Sequence, residues 1–207
     1  MKKFLLIAVA LSVSATSASA QFTFSSLDFP GSTLTTGRGI NNKGEIVGAY
    51  RLEPPRHAYL LKAGRFAPLA PSTVLGTNFS EAYKNNDRGD VVGYYQDDIG
   101  NNHGFLLRKG VLTTLDFPTA SNTGAWGINE SGTVVGSWSI VDSDGNLLAA
   151  HGFLAEGAKF TSLDYPRSAN TTAWGINSAG QMVGNWFDSD GNTHGWVATP
   201  GNKGKPQ

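Results

Sequence analysis

Four times in 207 residues the chain writes nearly the same phrase: GINNKGEIVGAY (39–50), KNNDRGDVVGYY (84–95), GINESGTVVGSW (127–138) and GINSAGQMVGNW (175–186). Aligned on their sixth position, Gly44, Gly89, Gly132 and Gly180 lie 45, 43 and 48 residues apart. A short supersecondary unit cannot bury its own apolar faces, so a recurrence of this length demands that neighbouring copies cover one another. The chain is therefore expected to build stacked, similar units.

Each copy has the chemistry of a β-hairpin. Asn41, Asn86, Asn129 and Asn177 stand first in a turn, where a short amide side chain caps the local backbone. Gly44, Gly89, Gly132 and Gly180 suit the left-handed conformation that closes a three-residue hairpin. An apolar run follows and ends in a second glycine (Gly48, Gly93, Gly136, Gly184), where a side chain would obstruct a neighbouring backbone. Two residues later comes an aromatic: Tyr50, Tyr95, Trp138 or Trp186. The rest of the period supplies two more strands. One begins at His57, His103, His151 or His194; the other reads FSSLDFPG (24–31), FAPLAPS (66–72), LTTLDFPT (112–119) or FTSLDYPR (160–167) and is stopped by proline.

Four short strands in about 43–48 residues is the content of one propeller blade. The composition agrees, with 26 glycines, 11% aromatic residues and no long amphipathic helical pattern. We expect an all-β fold, a small four-bladed β-propeller of four-stranded blades. The ring would be closed by the opening LDFP strand and the final HGWV strand sharing a blade. An open β-solenoid or stacked-sheet array is the alternative.

The ends read differently. Residues 1–20 carry a basic start (MKK), an apolar run from Phe4 to Leu11 and an Ala18-Ser19-Ala20 cleavage signature, the pattern of a secretory signal. That run is too short to span a bilayer. Residues 21–199 are expected to form one domain and 200–207 a polar tail. With Lys2 and Lys3 removed, 14 basic side chains face 16 acidic ones, which disfavours nucleic acid or an anionic membrane as partner. The absence of cysteine excludes disulfides and thiol catalysis.

The combination GIN-xx-G-x-VVG-x-(W/Y), H-(A/G)-(F/Y/W)-L and LDFPG resembles the bacterial HAF-type extracellular repeat, named for its His-Ala-Phe core, over essentially all of 22–199. The resemblance implies an exported, secreted or periplasmic protein and brings no established activity. Many such proteins carry a C-terminal sorting anchor; the polar tail GNKGKPQ leads us to expect release instead. The second copy departs most, with LAPS for LDFP and Lys84-Asn85 for Gly-Ile.

Candidate chemistry sits in several columns. A ring of the four histidines, His57, His103, His151 and His194, would suit a metal, but a residue present in every unit is what every unit needs for packing, so each imidazole is expected to bond a backbone group at its own strand start. Asp28, Asp116 and Asp164 would serve glycoside hydrolysis if they converged on the axis, or else hydrogen-bond the turn before proline. The DSDGN loops offer Asp142, Asp144, Asp188 and Asp190 as calcium ligands, although Asp-Gly and Gly-Asn are also ordinary hairpin turns. Arg38, Tyr83, Trp126 and Trp174 align in a column less uniform than a pure packing position; burial between blades is the leading expectation, and contact with a glycan or a protein the alternative. Arg51 and Arg56, flanking two prolines, form a candidate anion or partner patch. No nucleophile elbow, Walker loop or H-E-x-x-H motif is present. The expectation is a non-enzymatic binding or scaffold module without a required cofactor; a carbohydrate-active hydrolase is the alternative.

Overall fold

The computed structural model describes residues 24–69, 79–168 and 170–201. The expected signal segment, the end of the tail and most of LAPS lie outside these residues. The described chain contains fifteen strands and no helix, so no helix long and apolar enough to cross a membrane is found among the described residues.

The strands fall into four successive groups. The first is β1 (Leu34–Ile40), β2 (Ile46–Arg51), β3 (His57–Lys62) and β4 (Arg65–Pro68). The second is β5 (Phe79–Asn85), β6 (Val91–Gln96), β7 (Asn102–Arg108) and β8 (Val111–Leu115). The third is β9 (Asn122–Ile128), β10 (Val134–Val141), β11 (Leu147–Glu156) and β12 (Lys159–Leu163). The fourth has three strands, β13 (Asn170–Ile176), β14 (Met182–Phe187) and β15 (Thr193–Ala198). Within each group the strands form an antiparallel meander in chain order, and one parallel pairing, Ala150 with Asn170, joins the third group to the fourth.

The hairpins form for the reasons visible in the sequence. Asn41 Oδ1 accepts the amides of Lys43 and Glu45 at 3.0 and 2.9 Å, its carbonyl accepts Gly44 N–H, and Gly44 takes φ +72°. The turns at Asn86, Asn129 and Asn177 repeat the closure, with glycine φ values of +82°, +85° and +79°. Each second glycine lies against the first strand of its own sheet. A Cβ on Gly48, Gly93, Gly136 or Gly184 would run into the carbonyl oxygen of Thr36, Glu81, Gly124 or Thr172.

Every unit also carries a β-bulge at one position of its first strand. The register skips a residue between Gly37 and Gly39, Ala82 and Lys84, Ala125 and Gly127, and Ala173 and Gly175. The extra residues are Arg38, Tyr83, Trp126 and Trp174. A bulge bends its strand and re-aims the side chain it carries.

The core lies between sheets. Val47 and Ala58 pack with Ala82, Val91 and Phe105; Val92 and Leu115 with Ala125, Val134 and Phe153; Val135 with Ala173 and Met182. Burying a ring such as Phe105 or Phe153 contributes about 1.5–3 kcal/mol. One mouth of the assembly gathers Ile40, Asn41, Lys84, Asn85, Ile128, Asn129, Ile176 and Asn177, so all four turns reach the same place.

The all-β sheets are as expected, whereas the closed four-bladed ring is not shown among the described residues. The fourth sheet has three strands, and the opening LDFP segment is not a strand. Its contacts are instead to the first sheet: Phe29 stacks on Tyr50 at 3.7 Å, its amide donates to Thr35 Oγ1, and Leu27 lies over Gly37. The two end faces are therefore open. Ile40 is 59% exposed, and Val183 and Val197 are 50% and 70% exposed, although Val47, Val92 and Val135, equivalent to Val183, are fully buried. Among the described residues the sheets pack side by side, and closure of the ring is not shown.

Gly93→Ala is expected to destabilise the fold by about 3 kcal/mol, because the added methyl has no space. Gly145→Ala, with φ +83° but open surroundings, should cost about 1–2 kcal/mol. Urea unfolding of both variants checks the order.

Candidate ligand-binding face

The four bulge residues form one continuous array across the sheets. The Arg38 guanidinium sits 5.1 Å from the Tyr83 ring centre. Tyr83 meets Trp126 edge to face at 4.7 Å, and Trp126 meets Trp174 at 5.4 Å. Trp174, at the open end, is 44% exposed. Tyr94 joins from β6, 5.5 Å from Trp126 and at 70° to it. The column thus consists of side chains that strand geometry turns toward one another.

A buried carboxylate anchors the cationic end. Glu81, 1% exposed, accepts a 2.7 Å hydrogen bond from Arg38 Nε and faces Arg56 at 3.9 Å. The Glu81 hydrogen bond holds the Arg38 guanidinium above its usual pKa despite partial desolvation. Arg56 lies 4.5 Å over the Phe79 ring, so both arginines are committed within the protein. Arg51 bonds Thr33 and lines one cleft together with Arg56 and Phe79. Burial pushes the Tyr94 phenol up to about 12, so Tyr94 stays neutral across the ordinary pH range.

Beside Trp126 a cleft of about 320 Å³ opens between the second and third sheets. Tyr94, Trp126 and the edge of Trp138 line it with Asn102, Asn122, Ser137 and Ser139. Trp126 lies across Gly124, where a Cβ would strike the indole, and its Nε1 donates to Ser137 Oγ at 2.9 Å. The indole is therefore fixed before any ligand arrives.

The histidines take a different role. Each stacks on the aromatic of its own sheet: His103 on Tyr95, His151 on Trp138 and His194 on Trp186, at 5.2, 4.4 and 4.5 Å, with His57 tilted against Tyr50. Two are tied to the LDFP aspartates, His103 Nδ1 to Asp116 at 2.9 Å and His151 Nδ1 to Asp164 at 2.6 Å. These aspartates follow β8 and β12, three strands or about 14 Å across the sheet from the first strand. His57 has Ala70 at the corresponding sequence position, and its buried Nδ1 has no hydrogen-bond partner among the described residues.

The DSDGN loops are hairpin turns. Asp142 Oδ1 accepts the amides of Asp144 and Asn146, Oδ2 accepts Asn146 Nδ2, and Asp188 does the same with Asp190 and Asn192. Among the described residues no group of three or more His, Asp or Glu side chains is placed to hold a metal.

The structure therefore assembles Arg38, Tyr83, Trp126 and Trp174, attaches Arg56 through Glu81, and sets Arg51 beside Arg56 in the cleft between the first and second sheets. Sequence reading missed Glu81, Tyr94 and the cleft polar groups. Glu81 was detectable in principle, since it stands where the other units have Thr36, Gly124 and Thr172. No protein-family model and no curated protein matches this chain.

The histidines give a pH signature. Burial holds His57 below 6.5, whereas hydrogen bonds to Asp116 and Asp97 outweigh desolvation and hold His103 above it. NMR titration should show that order; the reverse order would contradict the packing described. Because the folded His103 pKa is raised, its stabilising contribution is complete below about 6.5 and disappears as pH rises through the folded value. His103→Gln should therefore destabilise more at pH 5.5 than at pH 9, read by thermal unfolding.

Proposed function

We propose that the protein is an exported, non-enzymatic binding module whose working surface is the bulge column with its adjoining cleft, built on HAF-type repeats. One observation carries this reading. The shared columns, glycine, asparagine and histidine, are consumed in turns and stacks, while the column that differs between units is the one the bulges collect into a single array. The hydrolase alternative needs carboxylates converging on the axis. Asp116 and Asp164 instead sit beyond the far edge strands, each held by a histidine. Mature protein should release no product from a panel of chromogenic glycosides, and Asp116→Asn should lower the melting temperature without changing ligand binding. Turnover abolished by Asp116→Asn would reverse this conclusion.

The module is also proposed to close into a four-bladed ring. His103 and His151 each have an LDFP aspartate; His194 bonds Asp188 through Nε2 and leaves Nδ1 unpaired, and Asp28 accepts no hydrogen bond from a described residue. The fourth sheet, one strand short, and the opening LDFP segment thus carry the two halves of the same repeated contact. Carrying over the pairing of Gly104 with Leu115 and of Gly152 with Leu163 sets Gly195 opposite Leu27 and Val197 opposite Ser25. Docking there would also cover Val197.

A chain without cysteine makes the test direct. Ser25→Cys with Val197→Cys should form an intramolecular disulfide under mild oxidation and raise the melting temperature. Persistent free thiols in the folded double variant would contradict closure.

A further inference from the structure

We propose that the cleft beside Trp126 binds a neutral saccharide; the proposal rests on the binding-module reading and names its ligand. Four features of the cleft point to this chemistry. No charged side chain lines it, which removes the usual means of recognising a phosphate, a sulfate or an ionised sugar acid. The nearest cations, Arg38 and Arg56, are occupied by Glu81 and the aromatic rings.

Its polar groups are amides and hydroxyls that supply both donors and acceptors, which is what a sugar hydroxyl needs. Asn122 Oδ1 accepts the Asn102 backbone amide at 2.9 Å, leaving Asn122 Nδ2 as a donor toward the cleft region. Ser137 Oγ accepts the Trp126 indole N–H, so its own proton remains to be donated. The Asn102 side chain and Ser139 hydroxyl are half-buried and have no hydrogen-bond partner among the described residues.

The aromatic wall is rigid. Gly124 beneath Trp126, Ser137 at its nitrogen, and Tyr83, Tyr94 and Trp174 around it hold the indole in one orientation. A pyranose presents an apolar C–H face and a polar rim, the complement of a fixed ring edged by amides and hydroxyls. A wall already in place costs little ordering entropy on binding.

The corresponding cleft between the first and second sheets provides an internal comparison. It is lined by Arg51, Pro54, Pro55, Arg56 and Phe79, so Arg56 and Phe79 stand where the neutral cleft has Asn102 and Asn122. The same architectural position therefore carries two chemistries, charged between the first and second sheets and uncharged between the second and third.

The test is saturation-transfer NMR and calorimetry of the mature protein with cellotetraose, maltotetraose, mannotetraose and chitotetraose, with polygalacturonate as the anionic comparison. At least one neutral oligosaccharide should bind and quench tryptophan fluorescence. Trp126→Ala should weaken it about tenfold or more. Because Trp126 also packs, Asn102→Ala and Ser139→Phe are the second arm: both should retain the wild-type melting temperature, the first weakening binding and the second abolishing it. Failure of all four neutral probes, or binding that neither Asn102→Ala nor Ser139→Phe alters, overturns the proposal. Binding of polygalacturonate with unchanged affinity in those variants would sink the neutral-sugar cleft and leave the binding module standing. Turnover of any probe would sink the module itself.

Discussion

The structure depends on a divided use of one side chain. Each turn asparagine closes its own hairpin through Oδ1, and three of the four reach the turn of the next unit with Nδ2, while Asn177 Nδ2 bonds Gln181 in its own turn. Asn41 donates to the carbonyl of Asn86, Asn86 to that of Asn129, and Asn129 to that of Asn177, at 3.0, 3.0 and 3.2 Å. Each receiving carbonyl already accepts a glycine amide within its own turn, so local closure and lateral contact share one oxygen. The outer hairpins show why an amide is required. Asp142 and Asp188 close the same type of turn through Oδ1, but a carboxylate cannot donate, and their bonds remain inside their own loop or sheet. Asparagine links units where aspartate only closes a turn.

That ladder brings the first strands close enough for the bulge residues to touch. The second glycines serve the same end within each sheet, since any side chain there would push the first strand away. With lateral spacing fixed by invariant residues, the bulge column is free to vary: arginine, tyrosine and two tryptophans stand at one structural position and make a graded surface, cationic at one end and aromatic at the other. Glu81 neutralises the cationic end from beneath. Recognition at the neutral cleft therefore falls to ring faces, amides and hydroxyls.

Much of this was legible in the sequence because it is local or periodic. The turns at Asn41, Asn86, Asn129 and Asn177, their left-handed glycines and the crowded second glycines all follow from residue chemistry within twelve positions. The histidines were expected to bond backbone groups at their own strand starts; they stack on aromatics instead, and His103 and His151 bond aspartates thirteen residues on. The bulge escaped notice because a single extra residue leaves the hydrophobic pattern on either side intact. Closure of the ring was expected from the count of strand types, and among the described residues Leu27 and Phe29 lie on the first sheet while β15 has no strand on its outer edge. Pairing across the whole chain has the longest loop to close and the weakest local signal. The cleft was illegible for a related reason: Tyr94, Asn102, Asn122 and Ser137 come from four different strands and share no motif.

The central claim is that the units are held together at their turns by the asparagine ladder. Hydrogen exchange on Asn129→Asp tests it most directly, because the substitution keeps the Oδ1 cap of the 129–133 turn and removes only the donor to Asn177. The account predicts that Gly180 and Gln181, in the next unit, lose protection by about fivefold to tenfold while the Asn129 turn keeps its own. Unchanged exchange at Gly180 and Gln181, or loss confined to 129–133, would contradict it.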